Sequence, residues 1–248
     1  MSDDRAAAER ILRRTQEVRR RIAEACARSG RDPSGVRLVA VTKTVPEPIV
    51  RLAFDAGLED LGENYAAELT RKARLVPARW HFLGKVQGGT AARVADAADV
   101  IHSAEPGGGL EAVARRAASR GRTIECLVQV DFTGRRQGVA PDEVGAFVER
   151  ASLLPSLRFV GLMTLPPAGL DPEGARPFFA RLRGIRDRLH EPHPDMVELS
   201  MGMSGDFPVA VDEGATMVRV GTALFGARPV QRGELRDREP ADGGTSAN

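Results

Sequence analysis

Apolar positions along this chain follow two rhythms, and the way they take turns predicts the architecture. Residues 4–29 carry Ile11, Val18, Ile22 and Ala25 at helical spacing, which predicts an amphipathic helix ended by Gly30 and Pro33. From Val36 onward, short apolar runs of strand length alternate with segments of helical period. The predicted strands are 36–42, 60–62, 80–84, 100–102, 123–130, 157–163, 196–199 and 217–220, with the fifth expected to be the longest. The predicted helices between them are 47–56, 66–75, 90–98, 110–120, 142–152, 173–189 and 207–212, and a last one opens at Gly221-Thr222.

Eight strand–helix pairs with strands apolar on both faces imply a parallel sheet covered on each side. The expected fold is a single α/β domain, a (β/α)8 TIM barrel over residues 1–228, with an extra N-terminal helix. The alternative is an open, doubly wound sheet. It is disfavoured because Thr42-Lys43-Thr44-Val45-Pro46 stands after the first strand, where a glycine-rich nucleotide loop would belong. Residues 229–248 are polar, charged and glycine-rich, so a disordered tail is expected there.

Composition narrows the function classes. A net charge of +2 gives no electrostatic case for nucleic acid or an anionic membrane, and no apolar run is long enough to span a bilayer. The acidic start Ser2-Asp3-Asp4 is unlike a secretory signal. Cys26 and Cys126 lie far apart and read as reduced thiols, so a cytoplasmic protein is expected. The four histidines lack metal-ligand spacing, and no metal is expected. The basic residues of the first helix are interspersed with Glu9, Glu17 and Glu24, as on a solvated face. No long apolar surface helix stands out, and a monomer is expected.

The candidate chemistry lies at the strand ends, where barrel active sites form. Only three of the 36 basic residues are lysines: Lys43, Lys72 and Lys85. Lys43 closes the first strand, where arginine would supply charge but not a primary amine able to condense with an aldehyde. A lysine snorkelling from a strand end is the plainer reading. Ser204 after the seventh strand and Gly221-Thr222 after the eighth offer backbone N–H groups and a hydroxyl to a phosphate, though glycine after a strand is often just a turn. An amine and a phosphate cradle at one mouth suggest a phosphorylated aldehyde, pyridoxal 5′-phosphate (PLP).

Six stretches in order carry a resemblance. They are Val39-Ala40-Val41-Thr42-Lys43-Thr44, Gly62-Glu63-Asn64-Tyr65, Trp80-His81-Phe82-Leu83-Gly84, Gly161-Leu162-Met163, Leu199-Ser200-Met201-Gly202-Met203-Ser204, and the run from Met217 to Gly226. Over residues 6–228 the chain resembles the YggS/PROSC family of pyridoxal phosphate homeostasis proteins, whose barrel is similar to that of alanine racemase without its second domain. The resemblance implies Lys43 as the Schiff-base lysine, with Ser204, Gly221 and Thr222 on the phosphate. It implies Arg219 at the pyridine nitrogen, and Asn64, His81 and Met163 lining the ring pocket. Met163 also reads as plain core, His81 as a satisfied barrel-wall histidine, and Asn64 as a helix cap. Two loops depart from the family: Gln87-Gly88-Gly89-Thr90, and Arg135-Arg136 where a lysine is common.

Arg219 offers only hydrogen-bond donors, so it should keep a pyridine nitrogen unprotonated and the ring a weak electron sink. Alanine racemase borrows a tyrosine from its second domain, whereas this chain has one tyrosine, Tyr65. The expectation is a PLP-binding protein of intracellular vitamin B6 homeostasis without efficient catalysis, in transient contact with PLP-dependent apo-enzymes. A weak PLP-dependent racemase or lyase is the alternative.

Overall fold

The computed structural model describes residues 2–226. Eight parallel strands close on themselves in chain order: β1 (Arg37–Val41), β2 (Asp60–Glu63), β3 (Arg79–Phe82), β4 (Val100–Ala104), β5 (Ile124–Val130), β6 (Leu157–Thr164), β7 (Glu198–Ser200) and β8 (Met217–Val220). The helices are α1 (Ser2–Arg28), α2 (Glu47–Asp55), α3 (Ala66–Lys72), α4 (Ala91–Ala97), α5 (Gly108–Ser119), α6 (Val144–Ala151), α7 (Pro172–His190), α8 (Phe207–Asp212) and α9 (Thr222–Phe225). The expected disordered tail lies outside the described residues.

Every strand is paired on both sides, so its alternate residues face two different apolar environments. In β1, Val39 joins Val100, Leu127, Val160, Met163 and Met217 in the barrel interior, whereas Ala40 packs in the core between sheet and helices. β8 pairs with β1 through Arg37–Met217, Leu38–Val218, Val39–Arg219 and Ala40–Val220, which completes the ring. Its interior residues are Met217 and Arg219, apolar below and charged at the mouth.

α1 lies outside the barrel and turns one face inward through Ala7, Ile11, Val18, Ile22, Ala25 and Cys26. Arginine hydrogen bonds pin it and the turn that follows it to the last strand–helix units: Arg14 Nη1 of α1 donates to Leu224 O at 3.3 Å, and Arg31 of the turn to Val211 O and Ala215 O at 2.8 Å each. On its outer face Arg5 pairs with Glu9, and Arg20 with Glu17 and Glu24, so these basic residues sit on a solvated, internally compensated surface. A short 3₁₀ turn at Pro33–Gly35, capped by the Asp32 side chain, links α1 to β1.

Two expectations need correction. β6, with eight residues, is longer than the seven-residue β5. β7 starts at Glu198 rather than 196, because Met196 N is bonded to His193 O in the turn that leaves α7.

Gly161 is the tightest point of the strand contacts. A Cβ there would lie 2.0 Å from Glu198 O and 2.6 Å from its carbonyl carbon, both backbone atoms of the paired β7. Gly161→Ala should lower stability by about 1–3 kcal/mol through overpacking, read from urea unfolding. An unchanged midpoint would mean that β6 and β7 separate freely at this point.

Candidate functional site

The C-terminal ends of the strands enclose a cavity of about 400 Å³. Lys43, Asn64, Met163, Ser204, Arg219, Gly221 and Thr222 line it together with Val41, Leu83, Leu165, Met203 and Gly205. The seven residues named first come from five different strand ends, those of β1, β2, β6, β7 and β8, and barrel closure assembles them. The five others lie at the ends of β1, β3, β6 and β7, and their apolar or small character gave the sequence nothing to distinguish them from core and turn.

Lys43 stands two residues beyond β1 in a tight turn, with Val45 N donating to Thr42 O at 2.9 Å. The turn's third residue, Thr44, has φ +60°, a region that β-branched residues rarely occupy. Asn64 lies on the cavity wall, and Tyr65 rather than Asn64 occupies the cap position before α3. Met163 serves both readings given to it, since it lines the cavity floor and packs in the barrel interior.

Two backbone amides meet at one side-chain oxygen. Gly221 N and Ala223 N both donate to Ser204 Oγ, at 3.3 and 3.2 Å. The loop after β7 and the start of α9 thus converge on one oxygen at the cavity edge. Asp206 braces that loop by accepting from Met203 N at 2.6 Å.

Arg219 is 5% exposed and, among the described residues, has no carboxylate within ion-pair distance. It donates to Ser200 Oγ at 2.6 Å and to Thr164 O at 3.0 Å. Burial pushes its pKa down to about 10, with the Asp206 charge opposing, so it remains cationic at neutral pH.

His81 does not line the cavity. It is buried inside the barrel beneath it, with Nδ1 2.8 Å from His102 Nε2 and Nε2 2.8 Å from Asp60 Oδ1. His102 Nδ1 in turn lies 2.8 Å from Ser200 Oγ. One assignment of protons satisfies every link: Arg219 donates to Ser200, Ser200 to His102, His102 to His81, and His81 to the Asp60 carboxylate. A continuous chain therefore runs from the cavity floor to the opposite rim of the barrel. Burial holds both imidazoles below the ordinary histidine range. Asp60 opposes this for His81, whereas the positive fields of His81 and Arg219 add to it for His102. The sequence reading missed His102 because an isolated histidine in an apolar strand carries no spacing signal.

The other lysines and the two unusual loops lie outside the cavity lining. Lys85 bridges to Glu105 at 3.3 Å, and Lys72 is buried against two carboxylates. Thr90 folds back on Gln87 O through its hydroxyl. Asp131 orders the Arg135-Arg136 loop by accepting from Thr133 N and Arg136 N, each at 2.9 Å. Among the described residues no group of His, Cys, Asp and Glu is arranged to hold a metal, and no helix is long and apolar enough to cross a membrane. Cys26 and Cys126 are buried free thiols.

The family model for the alanine racemase N-terminal domain matches residues 14–229. Proteins named pyridoxal phosphate homeostasis protein are 36% identical in Aquifex aeolicus, over 87% of this chain and 97% of that one, and 39% identical in Pseudomonas aeruginosa, over 88% and 96%. The chain belongs to this family. Human pyridoxal phosphate homeostasis protein is 35% identical over 91% of this chain and 89% of its own. PipY from Synechococcus elongatus, whose structure is known with and without PLP, superposes with a TM-score of 0.73 at 36% identity, covering 83% of this chain and all of that one. Alanine racemase from Corynebacterium glutamicum, at 16% identity and a TM-score of 0.69 over 91% of this chain and 63% of that one, shares the fold.

The histidine chain gives this family member a specific pH response. A histidine whose folded pKa is depressed binds its proton more readily unfolded, so stability rises with pH through that window and is lost as pH falls below about 6.5. His102→Gln removes one such group while keeping an amide within reach of Ser200. Urea unfolding between pH 8 and 5 should therefore show the wild type's advantage shrinking with acid, by up to about 1.4 kcal/mol per pH unit. A constant gap would mean that His102 binds its proton as readily in the fold as in the unfolded chain, so that burial does not depress it.

Proposed function

We propose that this protein holds pyridoxal 5′-phosphate in the strand-end cavity and serves intracellular vitamin B6 homeostasis as a carrier rather than an efficient enzyme. The observation that carries the reading is the convergence, in one cavity, of a primary amine, a buried guanidinium held by neutral oxygens and a two-amide oxygen cradle. Those three donors match the aldehyde, the ring nitrogen and the phosphate of the cofactor, and the family relatives bear names of the same function.

PLP supplies an aldehyde that condenses with a primary amine, with loss of water, and a ring that draws electrons when its nitrogen is protonated. Among the described residues Lys43 is the cavity's only amine, and its turn fixes where that amine emerges. Ser204 with the Gly221 and Ala223 amides would take phosphate oxygens by charge-assisted hydrogen bonds, and Thr222 borders the same place. Asn64, Met163, Leu83 and Leu165 would flank the ring, with Met163 and the leucines excluding water from its faces. His81 acts at one remove, through the chain that orients Arg219.

Arg219 argues for the carrier. A fixed cation facing the ring nitrogen would resist its protonation and leave electron withdrawal weak. A second proton acceptor is also missing from the lining: Tyr65, the chain's one tyrosine, is 47% exposed and lies outside the cavity. The same reading places the protein in the cytoplasm, as a monomer that meets apo-enzymes transiently, consistent with its buried free thiols.

Purified protein incubated with PLP should show a visible absorption band and, after borohydride reduction, a modified Lys43 by mass spectrometry. Lys43→Ala and Lys43→Arg should both lose the adduct and keep the fold, since a guanidinium cannot replace the amine. An adduct persisting in Lys43→Ala would refute the assignment.

The cradle is tested separately with Gly221→Val. This variant should weaken PLP affinity on the order of ten- to a hundred-fold, the loss of one or two charge-assisted bonds, and leave pyridoxal affinity nearly unchanged. Equal losses for the two ligands would place the phosphate elsewhere.

A further inference from the structure

The buried cluster beside Lys43 belongs to none of the roles assigned above. Lys72 is 1% exposed and is among the largest fully buried side chains of the molecule, although it is charged. Its Nζ lies 2.7 Å from Glu63 Oε1, 2.6 Å from Glu68 Oε2 and 2.8 Å from Thr42 O. An ammonium has three N–H donors, and here each meets an acceptor. In a chain that otherwise uses arginine for positive charge, this site calls for lysine. A planar guanidinium could not converge on three acceptors around one atom.

The cluster grips the chain on both sides of Lys43. On the N-terminal side, Thr42 gives its carbonyl oxygen to Lys72, and its hydroxyl donates to Glu63 Oε1 at 2.7 Å. On the C-terminal side, Thr44 N donates to Glu68 Oε2 at 2.9 Å, the same oxygen that Lys72 holds. Thr44 is the residue with φ +60°, a conformation it would not choose unaided. Glu63, at the end of β2, and Glu68 and Lys72, one turn apart on α3, thus fix a strained turn that none of them belongs to. Replacing this buried pair by apolar groups would cost α3 little in principle, so stability alone gives a weak reason for it.

We infer that Lys72, Glu63 and Glu68 form a clamp that positions the Lys43 amine for condensation with an aldehyde in the cavity. These are positioning residues, acting through the Thr42–Val45 turn without lining the cavity themselves. The inference rests on the reading of Lys43 as the cofactor-linking lysine. The bond made is between Lys43 Nζ and the aldehyde carbon, and the carbonyl oxygen leaves as water. The clamp takes no proton and donates none to that step.

Glu68 provides the cleanest test because its carboxylate is less deeply buried than Glu63 and is the atom that holds Thr44 N. Glu68→Gln keeps an oxygen able to accept from Thr44 and Lys72, whereas Glu68→Leu keeps the bulk and loses the acceptor. Each variant is mixed with PLP, quenched with borohydride at timed intervals, and the modified Lys43 peptide is counted by mass spectrometry. Affinity for pyridoxamine 5′-phosphate, which has no aldehyde, is measured alongside.

Glu68→Leu should slow modification of Lys43 about ten- to a hundred-fold, the cost of displacing a reacting group by roughly an ångström. Its affinity for pyridoxamine 5′-phosphate should match wild type, and Glu68→Gln should restore the rate. Lys72→Arg should behave as Glu68→Leu does. Modification of Glu68→Leu at the wild-type rate would overturn the inference. So would a parallel loss of pyridoxamine 5′-phosphate affinity, which would make the cluster a support of the cavity as a whole. Absence of the Lys43 adduct in the wild type would instead overturn the proposed function on which the clamp depends.

Discussion

Pairing of the eighth strand with the first is the contact on which the rest depends. Its register sets Val39 beside Arg219 and Ala40 beside Val220. Lys43 and Gly221 then emerge on adjacent walls of one cavity, although 178 positions separate them in the chain. An open sheet of the same strands would place them at opposite edges. Closure also leaves no strand edge to solvent, which lets every strand be apolar on both faces. The chemistry is thus a by-product of topology. Six of the eight strands contribute between one and three residues at their ends, and the ring gathers them.

The interior shows how a barrel can carry polar groups without losing its core. Val39, Val100, Leu127, Val160, Met163 and Met217 fill part of it, and His81, His102, Ser200 and Arg219 fill the rest. An isolated buried imidazole or guanidinium would be costly, but here each polar atom hands its proton to the next as far as Asp60. The result is a rigid post beneath the arginine. Arg219 is held by its neighbours' lone pairs and carries its charge without a carboxylate of its own, and it can therefore direct that charge at whatever occupies the cavity.

Much of this was legible in the order of residues, for identifiable reasons. Strands buried on both faces are apolar throughout and are separated by helical periods, so the eight pairs and the barrel could be read directly. Strand-end residues with unusual chemistry, such as Lys43, Arg219 and Ser204, were also legible because barrels place function there. His81 was drawn to the same group by its motif, yet its ring points into the barrel, and β3 ends only one residue later. Lys72 was noticed as rare and given no role. A lysine on a predicted helix is normally solvated, and only the fold brings it under the Thr42 carbonyl. The start of β7 was misplaced because Met196 is as apolar as a strand residue, although its hydrogen bond belongs to a turn.

The hydroxyl of Ser204 gains a further meaning under the proposal that this protein gives its cargo away. With Gly221 N and Ala223 N both bonded to it, the cradle is satisfied by the protein's own oxygen. A phosphate that takes those amides displaces an internal substitute, and on leaving it lets the substitute return. Neither the loaded nor the empty form is left with stranded donors at this edge of the cavity. Under that proposal, binding would be weaker than at a bare cradle and departure easier. That is the balance a lender needs, and an enzyme guarding a resident cofactor does not.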